Sequence, residues 1–494
     1  MTVKSKKYYF VFSEGSKINQ LICAFTINFL LFCYGASIGW MSPMTLLLQS
    51  DQSPKGTPLS ISNISWMASV PYLMAVLFEF SIAMIGDIVG RKFTLLFLAI
   101  TNVACWILKL SSMEVWAFIL ARAMVGFTMS GVYVICPLYT KEISEDSIRG
   151  FLGTLLIFFQ TSGNLFLYII GDLLSYRAVL WVCFAMPAVY ILVIFFMPES
   201  PSFLLKKGKF DEALKVLAWL RCRPLDDPSL KQELDIVVKE QKADSDSSHF
   251  ALKAILQDKI LFRAFRIAVL VSLAREVCGS CPVLNFAGEI FALSSQGGGL
   301  ALLTSNQQAM VLGFVQVCGA LLASSVVELT GRKPLFVVTA VVSGLSMCLL
   351  ASWFLARELG VTLSPWIPVT TLCLTIFCDS SGIQPVSVVI MSEMFSYKFR
   401  GTVMAASMTL ASVAAFLQMR FFKPLANSVG IHVSFYFFGA VCLLSALYVI
   451  LVLPETKLRT VEEIQHDLKT KKEKRKELEM KKTWETENET ITKF

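Results

Sequence analysis

Long apolar blocks alternate with short charged stretches along the chain. Six blocks precede residue 198 and six follow residue 260, and each is near the ~20 residues that a helix needs to cross a bilayer. The blocks cover residues 18–41, 62–85, 94–110, 115–137, 152–170, 179–197, 261–293, 305–327, 335–356, 365–391, 403–422 and 434–453. This pattern predicts an all-α membrane protein with twelve transmembrane helices.

Charged segments divide these blocks into two groups of six. Residues 198–260 carry apolar positions at helical spacing in otherwise polar sequence, which predicts a cytosolic helical linker between bundles 18–197 and 261–453. Residues 1–17 and 454–494 are charged terminal segments. Lys and Arg collect in the loops on the side of the linker and the termini, so both termini are predicted to be cytosolic. We expect a multi-pass protein of the plasma membrane.

The composition narrows the class of function. Hydrophobic residues make up 55% of the chain and charged residues 16%, against about a quarter charged in a soluble domain. Much of the net charge of +8 lies in the tail sequence KTKKEKRKELEMKK, so nucleic acid is not expected as a partner. This tail could contact membrane lipids, but its interspersed Glu residues favour a solvated helix. Cys278 and Cys281 form a C-x-x-C pair without a further cluster, and no nucleotide motif is present. We therefore expect no metal, no cofactor and no enzyme activity.

The two halves share three motifs at matched positions. GDIVGRK at 86–92 corresponds to ELTGRKP at 328–334, EISEDSIRG at 142–150 to EMFSYKFRG at 393–401, and MPESP at 197–201 to LPETK at 453–457. Such repetition indicates homologous six-helix bundles, an arrangement in which the substrate site lies near the midplane between the repeats.

Together with GASIGWMSP at 35–43 and RAMVGFTMSG at 122–131, these motifs resemble the sugar porter family of the major facilitator superfamily. Within that family the chain resembles the insect facilitated trehalose and hexose transporters. The resemblance covers essentially the whole chain. It implies a major facilitator fold and facilitative transport of a sugar, trehalose or a hexose, by alternating access.

Ten charged residues of these motifs fall at cytosolic helix ends. Opposite charges there can pair across the two bundles and hold the inner side shut, which would make them a cytosolic gate. The alternative is that they fix only topology and loop structure. The candidate gate residues are Asp87, Arg91, Glu142, Arg149, Glu199, Glu328, Arg332, Glu393, Arg400 and Glu455.

A sugar site needs side-chain amides for hydroxyls and an aromatic face for the ring. The resemblance implies that the seventh span should read Gln-Gln-x-Ser-Gly-x-Asn, but REVCGSC stands there and places Arg275, Glu276 and Cys281 at three of those positions. Ile157 replaces a family Gln on the fifth span, and Ala411 replaces an Asn on the eleventh. The family's sugar contacts are therefore partly lost.

Other amides lie one helical turn from the lost positions and could rebuild the site. The candidates are Gln160, Asn164, Asn285 and Gln384, together with Gln316, which stands where the family has Asn. The alternative is that these residues serve helix packing.

Arg275 and Glu276 are charged at membrane depth, where each costs ~2.5 to 3.5 kcal/mol. Because neighbours on a helix do not face each other, we expect each to have a partner elsewhere, with Asp379 the candidate for Arg275. Arg275 either lines the cavity and favours an anionic solute, or belongs to an internal salt bridge.

The mode of transport has its own sequence signal. The first span contains no acidic residue, which favours uncoupled transport, and only Glu79 and Glu276 leave room for proton coupling. The remaining alternatives are a solute sensor that does not transport, and a carrier of another polar or anionic solute.

Overall fold

The computed structural model describes residues 15–51, 53–245, 251–295, 303–361, 363–457 and 459–469. Within these ranges the chain is helical and contains no strand. Twelve helical segments of the described chain are long and apolar enough to cross a membrane. The predicted all-α membrane architecture is thereby confirmed, and we number these segments spans 1 to 12.

The first half of the chain forms spans 1 to 6. Span 1 consists of two helices, because Pro43 has no N–H to donate to the carbonyl four residues earlier. The helices are α1 (Ile18–Gly39) and α2 (Met41–Gln49) in span 1, then α3 (Ile61–Val89), α4 (Arg91–Ser111), α5 (Val115–Ile143), α6 (Asp146–Leu173) and α7 (Tyr176–Ile194).

The predicted linker is helical where it is described. Its helices are α8 (Pro201–Lys206), α9 (Phe210–Arg221), α10 (Pro228–Ser245) and α11 (Ala251–Gln257), and residues 246–250 lie outside the described ranges. Leu204, Leu217 and Leu234 belong to a separate small apolar cluster in this segment. The linker therefore has a core of its own beside the bundles.

The second half forms spans 7 to 12, and spans 7 and 10 are each interrupted. The predicted tail 454–494 is described only as far as residue 469. Span 7 comprises α12 (Lys259–Val277), α13 (Ser280–Asn285) and α14 (Ala287–Ser295), and spans 8 and 9 are α15 (Ser305–Thr330) and α16 (Arg332–Glu358). Span 10 comprises α17 (Trp366–Cys378), a π-helical segment (Asp379–Ile383) and α18 (Gln384–Glu393). Spans 11 and 12 are α19 (Tyr397–Ser428) and α20 (Ile431–Val452), and the short α21 (Val461–Asp467) follows them.

Small residues allow spans 1 and 5 to touch. A Cβ added at Gly35 would lie 2.1 Å from the carbonyl oxygen of Gln160, and one at Gly39 would lie 2.3 Å from Oδ1 of Asn164. Glycines four residues apart are the usual means of close helix approach in membranes. This contact fixes the part of span 5 that carries two of the candidate site residues.

The spans connect two faces of the molecule. We call the face that carries the loops at 86–92 and 328–334 the network face, and the opposite one the far face. Odd-numbered spans begin at the network face and even-numbered spans begin at the far face. The bundle flank between the faces exposes large apolar side chains, with Phe80 and Leu451 each 73% exposed, as contact with lipid requires.

Candidate functional site

Span 7 is interrupted at Gly279. The φ of this residue is +94°, which glycine adopts without strain, and a Cβ there would lie 2.5 Å from the ring of Phe438. The preceding helix therefore ends at Val277, and the next begins at Ser280. The candidate site residues of this span flank the break on both sides.

Span 10 is interrupted opposite this break. The segment Asp379–Ile383 is π-helical, a feature that occurs often at functional sites. A Cβ at Gly382 would collide with Thr339 at 2.4 Å, so the glycine lets span 10 approach span 9. The Cys278 thiol lies 3.6 Å from Oδ1 of Asp379. The two interrupted spans thus face each other near the middle of the second half.

Arg275 and Glu276 pair with each other. Nη2 of Arg275 donates to Oε1 of Glu276, and both side chains are only 15% exposed. Our expectation that each would have its partner elsewhere was wrong, because two long side chains on the last turn of a helix can bend together. Asp379, the predicted partner, interacts with Arg275 electrostatically, but Glu276 is the hydrogen-bonded partner. Of the two alternatives predicted for Arg275, the structure therefore shows the internal salt bridge.

Tyrosines of the first half surround this ion pair. Tyr72 of span 2 lies beside Cys281, whose thiol is 3.6 Å from Oε2 of Glu276. The rings of Tyr34 and Tyr133 meet edge to face at 5.6 Å. Sequence analysis missed these three tyrosines, although a Tyr within a span is a recognisable signal because its hydroxyl needs a polar partner.

The amides of spans 5 and 8 meet between the bundles. Nδ2 of Asn164 donates to Oε1 of Gln316 at 3.4 Å, and both residues are buried. One turn further along span 5, the Tyr168 hydroxyl donates to the Leu284 carbonyl of span 7 at 2.6 Å. The sequence-predicted pair Asn164 and Gln316 therefore lies where the two halves contact each other.

Several buried amide atoms of this region have no hydrogen-bond partner among the residues that the structure describes. Oδ1 of Asn164 and Oδ1 of Asn285 are unpaired, while Nδ2 of Asn285 donates to the Cys281 carbonyl at 2.9 Å. Both amide atoms of Gln418 on span 11 are unpaired as well. Gln418 was missed, yet it lies seven residues after Ala411 and so on the same helix face as the lost family Asn. Unpaired buried polar atoms are rare and call for a ligand or water.

The candidate substrate residues fall into two connected groups and two separate residues. Asn164 bonds Gln316, and Arg275, Glu276, Cys281 and Asn285 form a continuous chain of contacts. Gln160 and Gln384 are half-buried, and within the described chain no hydrogen bond joins either to these groups.

At the network face of the first half, charged side chains form ion pairs and hydrogen bonds with one another and with the backbone. Nη2 of Arg91 lies 2.9 Å from Glu142 and Nη1 lies 3.0 Å from Asp87. The Glu199 carboxylate accepts the backbone N–H of Arg91 at 3.0 Å. Gly90 makes this possible, because its φ is +112° and a Cβ there would lie 2.4 Å from Oε2 of Glu199.

The second half repeats this network. Nη2 of Arg332 lies 2.9 Å from Glu393, and the Glu455 carboxylate accepts the backbone N–H groups of Arg332 and Lys333 at 3.1 and 3.2 Å. Gly331 again has a positive φ, +92°. The sequence repeat therefore corresponds to a repeat in three dimensions.

The ion pairs of these networks join spans of the same bundle. The pairs described for Arg91 and Arg332 do not cross between the halves, in contrast to the cross-bundle pairing expected from the sequence. Arg149 and Arg400 donate to the carbonyls five residues before them, each at 3.4 Å. The side chain of Glu328 lies outside the described part of the structure.

The two equivalent carboxylates differ in electrostatics. Burial raises the pKa of Glu199 above its ordinary value, although backbone N–H groups oppose the shift. Burial also acts to raise the pKa of Glu455, but this carboxylate is less buried, and four backbone N–H groups outweigh that effect and lower its pKa. The carboxylate of the second network is therefore the more strongly held in its charged form.

On the far face, polar contacts do cross between the halves. Nζ of Lys423 on span 11 donates to Oε1 of Gln49 on span 1 at 3.0 Å and lies 2.8 Å from Glu289. The Arg420 guanidinium lies 4.8 Å from the ring centre of Trp66 on span 2. Spans 1 and 2 are thus held against span 11 at this face.

Comparison with known proteins was made on the whole chain. The profile of the family described as "Sugar (and other) transporter" matches residues 22–468. Human "Solute carrier family 2, facilitated glucose transporter member 6" is 28% identical over 467 residues, which cover 89% of each chain. "Facilitated trehalose transporter Tret1" of Apis mellifera ligustica is 26% identical over 452 residues, covering 90% of this chain and 87% of the bee protein.

A solved structure, the inward-open xylose transporter XylE from E. coli, superposes with a TM-score of 0.73. Its sequence identity is 19%, and the match covers 90% of this chain and 98% of XylE, so it shows the fold alone. XylE is a major facilitator superfamily protein, which confirms the predicted fold. Because the family profile spans most of the sequence and the twelve spans are in place, this chain belongs to the sugar (and other) transporter family.

Proposed function

We propose that this protein is a facilitative sugar transporter that works by alternating access, with trehalose or a hexose as its solute. The observation that carries the proposal is the group of buried amides between the halves, where Asn164 of span 5 bonds Gln316 of span 8 and both Asn164 and Asn285 keep an unpaired oxygen. Amides donate and accept, as the hydroxyls of a sugar require, and the neighbouring tyrosines supply aromatic faces.

The ion pair at the break in span 7 favours a neutral solute. Arg275 and Glu276 neutralise each other, so the pair presents little net charge to the space between the bundles. An anionic solute would have to compete with Glu276 for the guanidinium. The charge of Arg275, which suggested an anion carrier, is therefore neutralised by Glu276, and the pair supports a neutral solute such as a sugar.

Two further features of the mechanism belong to this proposal. Lys and Arg cluster in the network-face loops, which supports a cytosolic network face and cytosolic termini, and we propose the plasma membrane as the location. The described ion pairs of Arg91 and Arg332 lie within one bundle, and we propose that they keep each bundle rigid at its cytosolic end while the bundles move. A sugar would drive that motion by binding the two states differently.

The test is uptake of labelled trehalose, glucose, fructose and several organic anions in transporter-deficient cells, with and without a pH gradient. Saturable sugar uptake that ignores the gradient is expected. Asn164→Ala should reduce it, whereas Gln232→Ala, an exposed amide in the linker, serves as the matched control. Uptake of anions alone, or sugar binding without uptake, would contradict the proposal and point to an anion carrier or a sensor respectively.

A further inference from the structure

A cavity of ≈ 340 Å³ opens at the far face of the second half. It is bounded by the ends of spans 7, 9 and 11 and the start of span 12, and it shares no lining residue with the amides between the bundles. Sites for small ligands begin at about 300 Å³. The cavity can therefore hold a small molecule separately from the central site.

One side of the cavity is aromatic. Phe286 of span 7 and Phe422 of span 11 stack with ring centres 5.6 Å apart and planes at 16°, and Phe354 of span 9 also lines the space. All three rings are at most 5% exposed, so they are fixed by packing. These packed rings form a rigid apolar floor behind the cavity, of which little is exposed.

The other side is polar, and its charges are compensated. Glu289 and Lys423 lie 2.8 Å apart, and Glu358 lies 3.2 Å from His432 beside the cavity. Arg357 donates to the Leu293 carbonyl. Two acids and two bases line the space, so the wall holds many donors and acceptors but little net charge. A neutral ligand with several hydroxyls suits this wall better than an ion.

We propose that this cavity is a second sugar-binding site, open to the outer face of the membrane. The proposal rests on the proposed function and its orientation, but it uses different residues. Lys423 lines the cavity and also holds Gln49 of the first half, so a sugar that takes hydrogen bonds from Lys423 alters the contact between the halves. Binding here therefore regulates opening of the outer side.

Protection from labelling tests the site in the full-length protein in intact cells. Asn427 lines the cavity and is exposed, so Asn427→Cys can be labelled with an impermeant thiol reagent. The native cysteines are all buried or half-buried, and the unsubstituted protein gives their background. Glucose or trehalose at about ten times its Kd should slow labelling about tenfold. Val429→Cys, which is 57% exposed but does not line the cavity, should show no such protection.

Two further variants separate this site from the central one. Protection of Asn427→Cys should persist when Asn164→Ala and Gln316→Ala disable the central amides, and it should vanish when Ala426→Phe fills the cavity. Protection that disappears with the central amides, survives the filled cavity, or is equalled by gluconate would overturn the proposal. If sugar still protects Asn427→Cys in a protein that takes up no sugar, the proposed transport function is contradicted, whereas the second binding site is supported.

Discussion

Glu276→Gln probes the ion pair at the break in span 7. The substitution keeps the shape of the side chain and removes the negative charge that faces Arg275, with both side chains 15% exposed. Removing one partner of a buried pair leaves an uncompensated charge and typically costs about 3–5 kcal/mol. Because Arg275 also interacts with Asp379, we expect a loss of unfolding free energy near the lower end, about 3 kcal/mol.

The double variant Arg275→Gln/Glu276→Gln removes both charges of the pair, so neither of the two is left facing a neutral partner. Its loss of unfolding free energy should therefore be smaller than the sum of the two single losses, by an interaction free energy of about 2 kcal/mol between the two positions. The matched control is Glu114→Gln, which breaks the exposed Lys55–Glu114 pair of 3.0 Å and should cost less than about 1 kcal/mol.

The assay is equilibrium unfolding in mixed detergent micelles, followed by tryptophan fluorescence, for the wild type, both single variants, the double variant and the control. The four members of the cycle give the interaction free energy directly. Single-variant losses that add within about 0.5 kcal/mol in the double variant would refute the reasoning, since the two charges would then be independent.

Three other variants test other parts of the structure. Asn164→Ala removes the hydrogen bond that we propose for the sugar and should raise the KM of uptake about tenfold, as about 1.4 kcal/mol implies; an unchanged KM would place the sugar elsewhere. Gly90→Ala should lower the yield of folded protein in size-exclusion chromatography, because its φ is +112° and Glu199 is in the way, while Gly150→Ala, in a helix with open space around it, should not. Lys423→Met removes the hydrogen bond to Gln49 and should speed amide hydrogen exchange in residues 41–49. Unchanged exchange would show that this contact does not stabilise α2.

The spans could be predicted from the sequence, but the breaks within them could not. Hydropathy measures how apolar a stretch is on average, and residues 261–293 and 365–391 are apolar enough on average that each reads as one continuous span. The interruptions depend on tertiary contacts, such as that between Gly279 and the ring of Phe438 and that between Gly382 and Thr339. A glycine in an apolar block does not by itself show whether it allows close packing or ends a helix.

The sequence could predict which residue types stand at the candidate site, but it could not predict the directions of their side chains. Asn164 was a candidate from its helical spacing and Gln316 from the resemblance to the family, and the structure brings the two side chains together. The pairing of Arg275 with Glu276 could not be foreseen, because helix geometry places neighbours apart and only the end of the helix lets them meet. Gln418 was passed over because it has no counterpart in the family motifs quoted from the sequence.

The distribution of contacts between the halves relates binding to motion. The ion pairs described for the network motifs stay within a bundle, whereas Lys423 and Gln49 join the two halves on the far face. A rocking motion of the bundles can therefore leave the networks intact while it breaks the far-face contacts. Asn164 and Gln316 belong to opposite halves, so a sugar held by both amides binds best at one relative position of the bundles. That dependence is the differential affinity through which a neutral solute can drive alternating access without an added energy source.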